Sequence, residues 1–115
     1  EVGAIVKSLI FKTVYKFIVC LVSGDKKASL NKIKKILKIK DVSMASADQV
    51  KNITGFTIGG VSPIGHLNKI DVLMDQSLKR FKFLFAAAGH PNCVFKITFR
   101  DLEKITDCLI NEIVE

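Results

Sequence analysis

The chain holds only three cysteines, Cys20, Cys93 and Cys108. Their number is odd and no two stand in CxxC spacing, which argues against a disulfide framework and against a zinc site. Set within apolar runs, they read as inert core thiols of a protein kept in a reducing, cytoplasmic setting. Histidine is scarcer still. His66 and His90 fall in separate loops, too few for a His-rich metal site, and each alone reads as a surface residue. Asp71 and Asp75 are the nearest approach to a carboxylate pair, and acids at strand ends are commonly solvated. With no metal-binding carboxylate cluster, metal-assisted phosphate-ester chemistry is disfavoured, and no cofactor or metal is expected. Long apolar runs are also missing. Lys7, Lys12 and Lys16 interrupt the opening stretch, leaving nothing near the roughly 20 apolar residues of a spanning helix. No membrane association is expected.

What is present is enough for one domain over residues 1–115. The chain has 115 residues, 49% of them apolar, which suits a single core and disfavours disorder. Its formal charge is +7, and the excess is local. Lys26, Lys27, Lys32, Lys34, Lys35, Lys38 and Lys40 lie between Asp25 and Asp41 with no acid among them. A run of this kind is either a solvated helix face or a phosphate-backbone surface carried by residues such as Lys32, Lys34 and Lys35, and charge alone does not choose.

Residues 4–11 and 17–24 are β-branched and aromatic, close enough to form neighbouring strands. Ser29 can cap a helix that places Leu30, Ile33, Ile36 and Leu37 on one stripe. Ser46 and Gln49 make a capping box, and Gly55 sits where the short helix through Val50 and Ile53 should end. Further strands are expected over 70–74, 83–88 and 93–99. Thr98 can cap a last helix with Leu102, Ile105 and Leu109 turned inward. Five strands and three helices in mixed order predict an α+β domain on a mixed sheet.

Between Gly55 and His66 the sequence reads GFTIGGVSPIGH, with four of the seven glycines. A loop continuing to Lys69 is long for so small a domain, and long ordered loops tend to serve function. The Gly55-to-Gly60 spacing is that of a phosphate loop, but no Gly-Lys-Ser/Thr follows. Lys7, in IVKSLIF, is a lone cation among apolar neighbours. It can snorkel to water or, beside two glycine loops, hold an anion.

IVKSLIF, the basic helix, MASADQVKNITGFTIGGVSPIGH and AAAGHPNCVFKITFRDLEKIT occur in this order across essentially the whole chain. The ordered set resembles the YbaK/prolyl-tRNA synthetase-associated domain family of trans-editing aminoacyl-tRNA deacylases. The resemblance implies a curved, barrel-like mixed sheet with flanking helices. It also implies hydrolysis of the ester that joins a wrong amino acid to the terminal adenosine of a tRNA. The expected partners are the acceptor end of an aminoacyl-tRNA and an aminoacyl-tRNA synthetase. By this resemblance Lys7 stands near the terminal phosphate and ribose, and Gly59 and Gly60 supply backbone donors to the aminoacyl carbonyl. Ser8, Val61, Ser62, Pro63, Gly89 and His90 complete the substrate site.

Two further points follow from the resemblance. Ser8 is closer to the YbaK-like members than to the alanine-specific ones, which tend to carry Asn there. Relatives also have about one more helical-and-strand segment before the strand lysine, whereas this chain starts at EVGAIVK; apolar surface and self-association are expected where that segment would pack. The competing functional class is a module that holds the acceptor end, or assists a synthetase, without turnover.

Overall fold

The computed structural model describes residues 2–57, 60–64, 70–90 and 93–115. Its elements are β1 (Ile5–Thr13), β2 (Phe17–Ser23), α1 (Leu30–Leu37), β3 (Val42–Met44), α2 (Ala47–Thr54), β4 (Asp71–Asp75), β5 (Leu84–His90), β6 (Cys93–Ile97), α3 (Phe99–Thr106) and β7 (Leu109–Asn111). This is the expected α+β domain, with one mixed sheet in the order β6-β5-β1-β2-β4-β7 and β3 also paired to β1.

β1 and β2 are antiparallel partners, Val6 opposite Ser23 through Lys12 opposite Phe17. On its other side β2 runs parallel to β4, and β4 parallel to β7. The sheet has a core on each face. Val6, Ile10, Val19 and Leu21 face one core together with Val50 of α2 and Leu102 of α3. Phe11, Ile18, Cys20 and Val22 face the other, under Ile33 of α1. β2 is therefore apolar at nearly every position, as a strand covered on both faces must be.

The free edge of β1 is shared. Near its start, Ile5 and Val6 pair in parallel with Phe85 and Ala86 of β5. Near its end, Phe11, Lys12 and Thr13 pair antiparallel with β3. The residues between, Lys7 to Ile10, face a fork in the sheet.

The helices stop and start where local chemistry dictates. Ser29 accepts from the Lys32 amide, and Thr98 from the Asp101 amide. Ser46 and Gln49 bond reciprocally, and Gly55 ends α2 with φ 83°. Two short strands, β3 and β7, were not expected. Asp107 adopts the left-handed conformation at φ 50° and ends α3 at Thr106, so Leu109 leaves the helix and pairs with Leu73 instead. Leu102 is buried as expected. Ile105 and Leu109 are 49% and 63% exposed, because the inward stripe of so short a helix is exhausted by Leu102.

Two polar expectations are also corrected. Asp75 is fully buried; its carboxylate accepts from the amides of Ser77 and Ile113, both within 2.9 Å, and from the Ser77 hydroxyl. It thereby ties β4 to the C-terminal segment. Of the cysteines, Cys20 is an inert core thiol, its pKa pushed up to about 12 by burial. Cys108 is partly covered and raised, chiefly by burial. Cys93, at the first position of β6, is exposed.

Candidate functional site

The fork in the sheet opens on a cavity of about 470 Å³. One wall is β1 itself, Ile5 to Ile10. Met44 and Ala45 close it from the β3 side, Val50 from α2, Val61 from the glycine loop, and Ala87 and Val94 from β5 and β6. Each reaches the cavity because β3 and β5 diverge from a shared strand. No local pattern marks Met44, Ala45, Val50, Ala87 or Val94 as cavity residues, since apolar side chains at such positions look like core. In retrospect the signal is exposure: Met44 and Val94 are 61% and 60% exposed, large apolar groups at the rim of an opening.

Lys7 and Ser8 both border this cavity, but their side chains take opposite faces of β1. Val6 and Ile10 belong to the core beneath α2 and α3, and Leu9 and Phe11 to the core beneath α1. Period-2 alternation puts Ser8 with the first pair and Lys7 with the second. The Lys7 ammonium donates to the backbone carbonyl of Lys26 at 2.7 Å, beyond the end of β2. The Ser8 hydroxyl oxygen is buried and lacks a hydrogen-bond partner among the described residues.

The glycine loop reaches the cavity through its middle. Gly60, Val61, Ser62 and Pro63 are all buried, and Val61 lies on the cavity wall. The Gly60 amide donates to the Thr57 carbonyl at 2.9 Å. The Ser62 hydroxyl accepts from the Ile64 amide at 3.3 Å. Gly59 and His66 lie outside the described residues.

The second glycine loop is held against the first. Gly89 has φ 91°, and a Cβ built on it would stand 3.1 Å from the Phe56 ring. The register of β5 and β6 shifts between Ala87 and His90, with His90 opposite Cys93. Gly89 and His90 thus sit on the hairpin whose flanks, Ala87 and Val94, line the cavity; they do not line it themselves.

The basic helix stands elsewhere. α1 covers the face of the sheet opposite the Ser8 side chain. Lys32 is taken up internally, its ammonium 2.6 Å from Glu112 and 2.7 Å from the Val114 carbonyl. Lys35, Lys38 and Lys40 are exposed and Lys34 is half-buried. A second cavity, about 420 Å³, is bordered by Lys26, Lys32, Asp75 and Glu112. Its Lys32, Glu112 and Asp75 are already bonded to one another or to the backbone, so the apolar cavity with its unmatched hydroxyl is the better candidate for a ligand.

Among the described residues no helix is long and apolar enough to cross a membrane. Comparison with known proteins converges on one family. The description "Aminoacyl-tRNA editing domain" matches residues 1–105. The chain is 39% identical over 110 residues to the proline--tRNA ligase of Caldicellulosiruptor bescii, covering 88% of this chain and 19% of that enzyme. It is 34% identical over 107 residues to the uncharacterized protein YwhH of Bacillus subtilis, covering 92% of this chain and 68% of that one. It therefore spans about a fifth of the ligase relative and about two thirds of YwhH. A crystal structure described as "a putative trans-editing enzyme for prolyl tRNA synthetase" superposes with TM-score 0.97 at 33% identity, covering 100% of this chain and 73% of that one. The order of motifs in the sequence, the forked sheet and these likenesses agree: the chain belongs to the aminoacyl-tRNA editing domain family.

Proposed function

We propose that this domain hydrolyses the ester of a mischarged aminoacyl-tRNA, with the aminoacyl group in the cavity at the β1 fork. The observation that carries the reading is the position of that cavity. It brings the strand of Lys7 and Ser8, the middle of the first glycine loop and the flanks of the second to one opening, in a chain of the editing family. The relatives named proline--tRNA ligase support a tRNA for proline as the carrier and a prolyl-tRNA synthetase as the partner.

An aminoacyl ester is already activated, so the protein needs to supply orientation and a site for the developing oxyanion rather than a nucleophile. Water adds to the ester carbonyl, the bond to the ribose oxygen breaks, and that oxygen leaves with a proton. The neighbouring ribose hydroxyl of the substrate helps position the water. Backbone amides of the stretch from Gly59 to Ser62 hold the aminoacyl carbonyl, where glycine permits close approach. Lys7 holds the terminal phosphate and ribose, exchanging the Lys26 carbonyl for the substrate, and Gly89 and His90 stand beside the pocket. Lys34 and Lys35 add backbone affinity for tRNA.

The Lys7 ammonium and the Gly60 amide both donate within the chain, which favours a second reading: a module that binds the acceptor end without turnover. Purified protein is incubated with mischarged tRNA for proline, and amino-acid release is compared with the spontaneous rate. Release well above background supports the hydrolase. Tight binding with release at the background rate would establish the binding module instead.

A further inference from the structure

Besides the lysine run that carries α1, the chain has a second stretch free of acid. Between Asp75 and Asp101 there is no Asp or Glu, while Lys79, Arg80, Lys82, Lys96 and Arg100 fall there with five of the eight phenylalanines. The fold takes up two of these cations. Arg80 pairs with Asp25 at 2.9 Å, and the Lys79 ammonium stands 5.6 Å from the centre of the Phe99 ring. Lys82 and Lys96 belong to no ion pair among the described residues. Both ammoniums instead converge on one ring, that of Phe83, at 5.6 and 4.1 Å from its centre. Phe83 is 37% exposed, and both lysines are exposed.

The sheet connects this group to the cavity. Phe85 pairs with Ile5 on one side and with Lys96 on the other, a rung across three strands. Alternation puts Ile5 and Lys7 on one face of β1, Phe85 and Ala87 on the same face of β5, and Val94 and Lys96 beside them on β6. Phe83, just before β5, joins that face through its contact with Lys96. Ala87 and Val94 line the cavity, and Lys7 stands one step of roughly 6.8 Å along β1 from the rung. The core beneath α1 draws no residue from β5 or β6, so the helix leaves this part of the face uncovered.

An ester at the end of a tRNA enters the cavity with its last nucleotide, so the nucleotides before it must cross the rim. They are unpaired, and unpaired bases are held by stacking on aromatic rings beside cations that meet the phosphates. One exposed Phe is ordinary surface. Here the ring gathers two cations that lack a carboxylate, lies in a stretch free of acid, and continues the ladder that lines the cavity. We propose that Phe83, Lys82 and Lys96 form a platform for the unpaired 3′ strand of the tRNA. One base stacks on the Phe83 ring as the two ammoniums move from the ring to the phosphates. This rests on the reading above and extends it from the terminal adenosine to the nucleotides that precede it.

The probe is a labelled single-stranded RNA with the unpaired 3′ sequence of a tRNA, titrated with the full chain by fluorescence anisotropy, and a blunt duplex is the control. The wild type should bind the strand more tightly than the duplex. Phe83→Leu keeps an apolar side chain without a stacking face, and should weaken strand binding roughly 5- to 150-fold with little change on the duplex. Lys82→Gln and Lys96→Gln should each remove about 0.7 from the log–log salt slope. Both lysines are exposed, so they test the proposal even where Phe83→Leu lowers the thermal midpoint. In hydrolysis, each variant should raise KM for aminoacyl-tRNA and leave the rate on aminoacyl-adenosine, which has no preceding nucleotide, unchanged. Equal wild-type affinity for strand and duplex, or variants with unchanged affinity and salt slope, would overturn the proposal. Self-association that Phe83→Leu abolishes, with RNA binding intact, would overturn it too and make this face a contact between copies. The two readings fail separately. A protein that binds the strand through Phe83 but releases no amino acid loses the deacylase and keeps the platform. One that hydrolyses mischarged tRNA equally well with and without the Phe83 ring keeps the deacylase and loses the platform.

Discussion

Lys7 and Lys26 are joined across nineteen residues by one bond, the lysine ammonium donating to a backbone carbonyl at 2.7 Å. The bond fastens the turn after β2 to the strand that borders the cavity. It gives Lys7 a structural contribution beside its proposed role with the substrate. Lys7→Ala should lower stability by about 1 kcal/mol, since the group is half-buried and its hydrogen bond only partly sheltered, a fall of roughly 4 °C in the midpoint for a domain of this size. The same variant should abolish deacylation. Paired measurements of midpoint and rate decide the matter: a destabilised protein with full activity per folded molecule makes Lys7 a strap and nothing more.

The exposed part of the basic helix should contribute tRNA affinity through phosphate neutralisation. Lys32 is a poor probe because Glu112 and the Val114 carbonyl already hold it. Replacing Lys34 and Lys35 by Gln should weaken binding and flatten its salt dependence, each lost phosphate contact removing about 0.7–0.9 from the log–log slope. Binding isotherms at several salt concentrations report this directly, and an unaltered slope returns the lysines to a solvated face.

The two glycine loops should respond differently to a methyl group. Gly89 has φ 91°, and an added Cβ would press on the Phe56 ring at 3.1 Å. Gly89→Ala should therefore cost about 1 kcal/mol or more in stability and loosen the contact between the loops. Gly60 is buried in the middle of the first loop, next to Val61 on the cavity wall. If its backbone lies against the aminoacyl group, turnover should drop roughly 100- to 1,000-fold at little cost to the midpoint. A fully active Gly60→Ala protein makes that loop an ordinary connection.

Acid should expose a third contact. The Arg80 guanidinium, 2.9 Å from Asp25, and then the Ser23 hydroxyl hold the exposed Asp25 carboxyl at about 2, below its ordinary 3.8. A carboxyl with a lowered folded-state pKa stabilises the fold fully above its unfolded value and loses that contribution as pH falls through the folded one. The difference in midpoint between wild type and Asp25→Asn should hold steady above about pH 4 and shrink toward pH 2. A difference that does not change over this interval would show that the carboxylate's charge contributes nothing.

Much of this molecule is legible in its amino-acid order because the causes are local. Ser29, Thr98 and the Ser46–Gln49 box cap helices with their own side chains, and a turn's geometry admits Gly55 whatever surrounds it. The runs that became β1, β2, β4, β5 and β6 announce themselves by β-branched and aromatic content. The succession of lysine strand, basic helix and two glycine loops carries the family likeness for the same reason. The remainder had no local cause. β3 and β7 are three residues each and are strands only because β1 and β4 offer them an edge. Leu109 could continue a helical stripe or join a sheet, and the edge of β4 decided for the sheet. Asp75 resembles any acid at a strand end until the Ile113 amide arrives from 38 residues away. Alternation along β1 already requires Lys7 and Ser8 to face apart, but not which faces the cavity. That was decided when β5 and β3 took different stretches of one edge of β1, leaving the fork where Ser8 stands.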